Sequence, residues 1–306
     1  VYYMVVNNLR DRVQVRRLVA TAFFTAAVVS VSGIAQIPTG RRVSAPFEGA
    51  VGEPNTLGGY LLLMIAVMAG IVLETQRPRI RAVGLLLLGV MGVTFVYTLS
   101  RASYLGFIPM VLVLALLTGR RRLMLGVLAL TLAVTPLMMQ AVPQPVVKRI
   151  QRTFEPERHL TTVEIGGVAL DPSTSQRLFA FKQAFEAWTL RPFLGYGVTG
   201  FRFLDAQYPR VLVETGVIGL AAFVWLIWLL FREGLTAYRT LFDPEERGLA
   251  LGFLAGLVGL LVHAIGSNTF IIVRIMEPFW FFAAVVITLS RLGIPEAAPP
   301  PRAARW

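Results

Sequence analysis

Apolar positions in this chain come in long runs separated by short, arginine-bearing breaks. The runs cover residues 18–37, 57–73, 82–99, 102–118, 123–142, 211–231, 249–266 and 278–290. A helix of about 20 residues crosses a hydrocarbon core of roughly 30 Å, so each run predicts a transmembrane helix, the shorter ones borrowing flanking residues. The pattern predicts an all-α polytopic membrane protein with about eight transmembrane helices. Residues 1–142 and 211–290 form its membrane-spanning parts, residues 143–210 a large polar loop, and residues 291–306 a disordered Pro/Ala-rich tail. The opening scrap VYYMVV carries no Met and is too short to span. It reads as the last turns of an upstream helix, which would make the chain the C-terminal portion of a larger bundle; no cleavable signal pattern is visible.

Composition agrees with that reading: 56% of residues are hydrophobic and only 15% charged, with a mean hydropathy of +0.67. Charge then sets orientation. With residues 7–17 placed in the cytoplasm and the sides alternating, the cytoplasmic segments hold sixteen arginines. The short loops opposite hold four, Arg41, Arg42, Arg101 and Arg274. This asymmetry is the positive-inside pattern, and it puts residues 143–210 on the outer, periplasmic side and the C-terminus in the cytoplasm. The net charge of +12 is therefore mostly a topology signal. The basic residues are split among short loops, which excludes a nucleic-acid face. The absence of cysteine excludes disulfides and thiolate metal sites.

The polar loop carries the candidate chemistry, in the string STSQRLFAFKQAFEAWTLRPFLGYG followed by YPRVLVETGVIGL. Before it, TLSRASYLGF sets Arg101 between two apolar runs with almost no loop. Arg101 is either a snorkelling arginine that marks the membrane edge or an anion site, since a guanidinium binds phosphate oxygens bidentately. Ser173 and Ser175 offer caps for a helix whose Leu178, Phe181, Phe185 and Trp188 share one apolar face, lying on the membrane interface. Arg177 in its first turn opposes the helix dipole, a conflict that an anion held by both would resolve; a solvated surface arginine is the alternative. Pro192 ends that helix, and Gly195, Gly197 and Gly200 allow a tight turn. Asp205, Tyr208, Arg210 and Glu214 follow. Arg210 and Glu214 have the spacing of a surface ion pair, and Gly216 and Gly219 that of helix-packing contacts. His159 is expected in solvent. His263, inside an apolar run, is expected to hydrogen-bond across helices or to relay protons. Two distant histidines without further ligands predict no metal site.

Taken together, these pieces resemble the O-antigen ligase and polymerase family of bacterial envelope glycan assembly. The matching strings are FEGAVGEPNTLGGYLLL, TLSRASYLG, SQR…AW…RPFLGYGVTGF and Y…VLVETGVIGL, between about Phe47 and Leu220. The resemblance implies a glycosyl-transfer enzyme of the GT-C type in the inner membrane, with an undecaprenyl-diphosphate-linked glycan as donor. The acceptor would be lipid A core for a ligase or a second lipid-linked repeat for a polymerase. The donor arrives activated, so no cofactor is implied, and membrane lipid is the medium. Arg101 and Arg177 would hold the donor diphosphate, and Asn55 in EPNTLGGY would shape the pocket. Arg210 and Tyr208 would join them in substrate binding. Ligases of the family carry a His-Asn pair shortly before the tyrosine; Asp205 and Ala206 stand here. Asp205 then becomes the candidate general base, with Glu214 second. Two other classes fit the composition. One is a transporter of a small anion or a lipid-linked glycan, which mid-span ionisable groups and broken helices would favour. The other is an inactive scaffold.

Overall fold

A computed structural model describes residues 1–40, 42–46, 52–118, 164–165, 168–169 and 172–292. The expected span at residues 123–142 lies outside the described residues, as do Arg41, the loop arginines Arg120 to Arg122, His159 and the tail from residue 293.

The described chain is built of helices: α1 (Tyr2–Asn8), α2 (Arg12–Gln36), α3 (Pro54–Glu74), α4 (Pro78–Tyr97), α5 (Arg101–Leu117), α6 (Pro172–Leu190), α7 (Gln207–Thr240), α8 (Pro244–His263) and α9 (Val273–Leu292). Two-residue strands, Glu164–Ile165 and Val168–Ala169, pair antiparallel ahead of α6. Six of these helices, α2, α3, α4, α7, α8 and α9, are long and apolar enough to cross a membrane, and α5 is a shorter apolar helix of 17 residues. Their starts are specified locally. Asp11 caps α2 by accepting from the Gln14 amide at 2.7 Å, and Asp243 caps α8 by accepting from the Glu245 and Glu246 amides. Proline opens α3, α4 and α8, where no intrahelical N–H is needed.

Burial separates the helices more sharply than hydropathy does. The most apolar stretch of α3 is 83% buried and that of α8 78%, whereas α2, α4 and α7 bury 28%, 22% and 17%. The central pair is close because its facing positions are glycines. A β-carbon at Gly70 would lie 2.2 Å from the Gly248 carbonyl oxygen, and one at Gly252 would lie 2.4 Å from the Val67 Cα. Backbone thus meets backbone, the small-residue packing expected of helices in lipid. Gly106 of α5 repeats the device against the Gly259 carbonyl at 2.5 Å.

The two ends of the bundle differ. At one end, arginines of the N-terminal parts of α2 and α4 meet carboxylates at the start of α8: Arg16–Asp243 at 3.1 Å, Arg12–Glu246 at 3.4 Å and Arg77–Glu245 at 3.6 Å. Arg247 of α8 reaches Glu74 at the end of α3 at 3.8 Å, and the Tyr238 hydroxyl of α7 donates to the Leu117 carbonyl of α5 at 2.6 Å. The start of α2, the α3–α4 and α7–α8 breaks and the end of α5, assigned to one side by arginine placement, therefore gather at one end. The opposite end holds the candidate site.

Candidate active site

The candidate site is assembled from three backbone devices at the end opposite the ion pairs. The first is the tight turn between α4 and α5. Leu99 sits at φ 50°, and the Ser100 hydroxyl caps α5 by accepting from the Ser103 amide at 3.3 Å, so Arg101 becomes the first residue of that helix. Arg42, in the connection before α3, ties the turn down. Its Nε donates to the Thr98 carbonyl at 3.0 Å and its Nη2 to Asn55 Oδ1 at 3.0 Å, while the Val43 amide donates to the Tyr97 carbonyl at 3.1 Å. One guanidinium thereby fixes the start of α3 and the turn that carries Arg101. Gly58 of α3 faces the Ser100–Ser103 hydroxyl pair, where a β-carbon would lie 2.2 Å from the Ser103 oxygen.

The second device is a broken helix. Gly216 has φ 65° and ψ −167° within α7, so the helical bonds across it are lost. The PFLGYG loop fills the gap. Tyr196 N–H donates to the Val213 carbonyl at 2.9 Å and Gly197 N–H to the Glu214 carbonyl at 2.8 Å. In return, Val217 N–H donates to the Pro192 carbonyl at 2.9 Å and Ile218 N–H to the Phe193 carbonyl at 3.4 Å. All four backbone groups freed by the break are satisfied, as buried polar groups must be. The approach is too close for side chains. A β-carbon at Gly216 would lie 2.2 Å from the Phe193 oxygen, and one at Gly195 would lie 2.5 Å from the Val213 oxygen. Gly216 is thus not the interhelical packing contact its spacing suggests. Gly219 is not one either: a β-carbon there would meet the Thr215 side chain of its own helix.

The third device joins α7 to α8. The Gln207 amide donates to the Ala264 carbonyl at 3.2 Å, its Oε1 accepts from the Phe270 amide at 2.9 Å, and the Tyr208 hydroxyl donates to the Leu261 carbonyl at 2.5 Å. Asn268 Nδ2 donates to the Leu204 carbonyl at 2.6 Å, while its Oδ1 is buried with no hydrogen-bond partner among the described residues. His263 is fully buried, with Nδ1 2.7 Å from the Thr269 hydroxyl and its ring edge against Gly59 of α3. The Gly58–Gly59 pair therefore touches both the α5 turn and the end of α8.

Residues 85–224, which include the Arg101 turn, α6 and the broken start of α7, match the family model described as O-antigen ligase. Over that stretch, a little under half of its length, the chain is similar to an O-antigen ligase domain. No curated protein matches the chain. The matched stretch contains Arg101, Arg177, Asp205, Tyr208, Arg210 and Glu214, whereas Arg42, Asn55 and His263 lie outside it, Arg42 reaching it at the Thr98 carbonyl. Together with the apolar spans, the match supports a membrane enzyme of the ligase/polymerase type.

The fold distributes the expected residues unevenly. Asn55 and Arg101 are brought to one node through Arg42. Asp205, Tyr208, Arg210 and Glu214 line the start of α7, with Asp205 exposed just before it. Arg210 Nε contacts Glu214 Oε1 at 3.0 Å, but the pair is not superficial: the side chains are 15% and 10% exposed, with the guanidinium 5.5 Å from the Phe203 ring centroid. The Tyr208 hydroxyl is engaged with the backbone of α8. Helix α6 begins at Pro172, which puts Ser173 and Ser175 inside it instead of at its cap and Arg177 in its second turn. The Arg177 side chain lies outside the described residues. Helix α6 packs on the protein through small residues, which leaves the expected interfacial face open. Ala184 buries against Leu204 and Val213, flanked by Ala180 and Ala187, while Leu178 and Phe185 stay exposed. Sequence reasoning missed Arg42, Gln207 and Asn268. The one available signal was that Arg42 belongs to the sparse set of arginines on that side.

Proposed function

We propose that the protein transfers an undecaprenyl-diphosphate-linked glycan to a lipid or glycan acceptor at the periplasmic face of the inner membrane. The observation that carries this reading is the O-antigen ligase match together with Arg101 at the N-terminus of α5, inside the matched stretch. A helix start and a guanidinium side by side form an anion site suited to a diphosphate. The acceptor hydroxyl attacks the anomeric carbon, the bond from that carbon to the diphosphate oxygen breaks, and the lipid diphosphate leaves. Arg101 and Arg177 stabilise the charge that develops on the leaving group, while Asn55 and Tyr208 shape the pocket and Arg210 lines it. Asp205, exposed at the entrance to α7, accepts the acceptor proton. Glu214, whose carboxylate meets Arg210, is the second candidate.

A cavity of about 680 Å³ between α7 and α9 supports a place for the polyprenyl tail. It begins at Phe270 and Ile271, beside the site, and its walls include Leu226, Leu230, Met276 and Trp280. In liposomes, the protein supplied with its lipid-linked glycan and both acceptors should form either product on lipid A core, the mark of a ligase, or a ladder of lengthening glycans, the mark of a polymerase. Arg101→Ala and Arg177→Ala should each cost about 10²–10³-fold in rate without loss of membrane insertion. Neither product from a correctly inserted protein given its native donor would overturn the reading.

A further inference from the structure

At the end of the bundle away from the candidate site, a second cavity of about 620 Å³ lies between α2 and α4, floored by α3 and the start of α8. Its size is that of a ligand pocket, about 300–1,000 Å³. The walls are apolar: Val19, Ala20 and Phe23 of α2 oppose Val83 and Leu87 of α4. These two helices are among the least buried spans, so the cavity is walled by helices that face lipid. Its polar lip carries Arg16, Arg77 and Arg79, with Glu245 and Glu246. Glu245 is engaged by the Thr75 hydroxyl at 2.7 Å and by Arg77, and Glu246 by Arg12 through Oε1, its Oε2 being buried with no hydrogen-bond partner among the described residues. Arg16 is held by Asp243, while Arg79 is exposed and makes no ion pair among the described residues. An apolar slot between membrane helices that ends in arginines at the polar boundary is complementary to one ligand class.

We propose that this slot binds an anionic glycerophospholipid of the arginine-rich leaflet, with an acyl chain between α2 and α4 and the phosphate at Arg79 and Arg16. The assignment stands apart from glycan transfer and needs no donor to test it. The protein is reconstituted in vesicles of equal parts phosphatidylglycerol and phosphatidylcholine, extracted in mild detergent and weighed by native mass spectrometry. Phosphatidylglycerol should be retained about fivefold above its bulk ratio, the contribution of one arginine near an anionic headgroup. Arg79→Gln should return retention toward the bulk ratio. So should Ala20→Trp, which fills the slot from an exposed position and leaves the ion pairs intact. Equal retention of the two lipids, or enrichment unchanged in both variants, would overturn the proposal. So would a spectrum in which a second copy of the chain replaces the lipid in wild type but not in Ala20→Trp.

Discussion

Replacing Gly216 by alanine tests whether the broken helix builds the site. The native φ and ψ at this position fall in a region that is essentially reserved for glycine, where another residue costs about 1–3 kcal/mol. The new β-carbon would also lie 2.2 Å from the Phe193 oxygen, a backbone atom that cannot rotate away. The available relief is for α7 to close into a continuous helix, returning the Val217 and Ile218 amides to the Val213 and Glu214 carbonyls. Tyr196 and Gly197 then lose their acceptors, at about 0.5–1.5 kcal/mol for each bond. Those bonds are lost on opening in wild type too, so the strain alone sets the difference: the loop–helix clamp weakens by about 1–3 kcal/mol, or roughly 5- to 150-fold in its opening equilibrium. Hydrogen exchange in detergent, read by mass spectrometry on peptides covering residues 192–200, should show protection at Tyr196 and Gly197 falling by that factor. The helices away from the clamp, α3 and α8, should be unchanged. Gly89→Ala provides the control, because nothing lies within 4 Å of the place its β-carbon would take. Protection in Gly216→Ala within about threefold of wild type would refute the reasoning.

Other perturbations address the remaining contacts. Arg42→Gln should lower transfer at least about tenfold with normal insertion, since hydrogen bonds to a charged group are each worth about 1.5–3 kcal/mol; Arg42→Lys should recover only part in the same assay, lacking the fork that holds both acceptors. Arg210→Gln should destabilise the folded protein by about 3–5 kcal/mol in thermal or denaturant unfolding by stranding Glu214, and Arg210→Met with Glu214→Leu should cost less than the single change. Asp243 is pushed up by burial, but the backbone amides of Glu246 and Glu245 and the Arg16 guanidinium outweigh that and hold its carboxyl below the usual range. Its contribution is thus complete above the unfolded value of about 3.9 and is lost as pH falls through the lower folded value. Unfolding followed across pH 2–5 should show that loss in wild type and a smaller one in Asp243→Asn.

The membrane helices were legible because lipid leaves few alternatives: an apolar run bounded by arginines must become a helix that satisfies its own backbone. Their ranking by burial was not, since α2 and α3 are both strongly apolar. What distinguishes α3 is Gly70 opposite Gly248 and Gly252, a match between runs distant in sequence. The string VLVETGVIGL reads as unbroken helix. Its break at Gly216 depends on the Pro192 and Phe193 carbonyls arriving from the preceding loop. In α6 the hydrophobic period marked Leu178 and Phe185, which stay exposed, while Ala184, which packs against Leu204 and Val213, carries no such signal. Arg42 looked like an isolated loop charge because both its acceptors, the Thr98 carbonyl and Asn55, belong to elements that meet only in three dimensions.

The glycine seam between α3 and α8 has a consequence for how substrate reaches the enzyme. Where one helix backbone rests directly on another, no solvated passage can open along the seam without parting the two most buried spans. Alternating access that rocks α3 against α8 would have to break the contact that centres the bundle. The seam thus behaves as a closed partition, and the lipid-linked donor of the proposed function would have to come sideways out of the bilayer, already on the face where it would react.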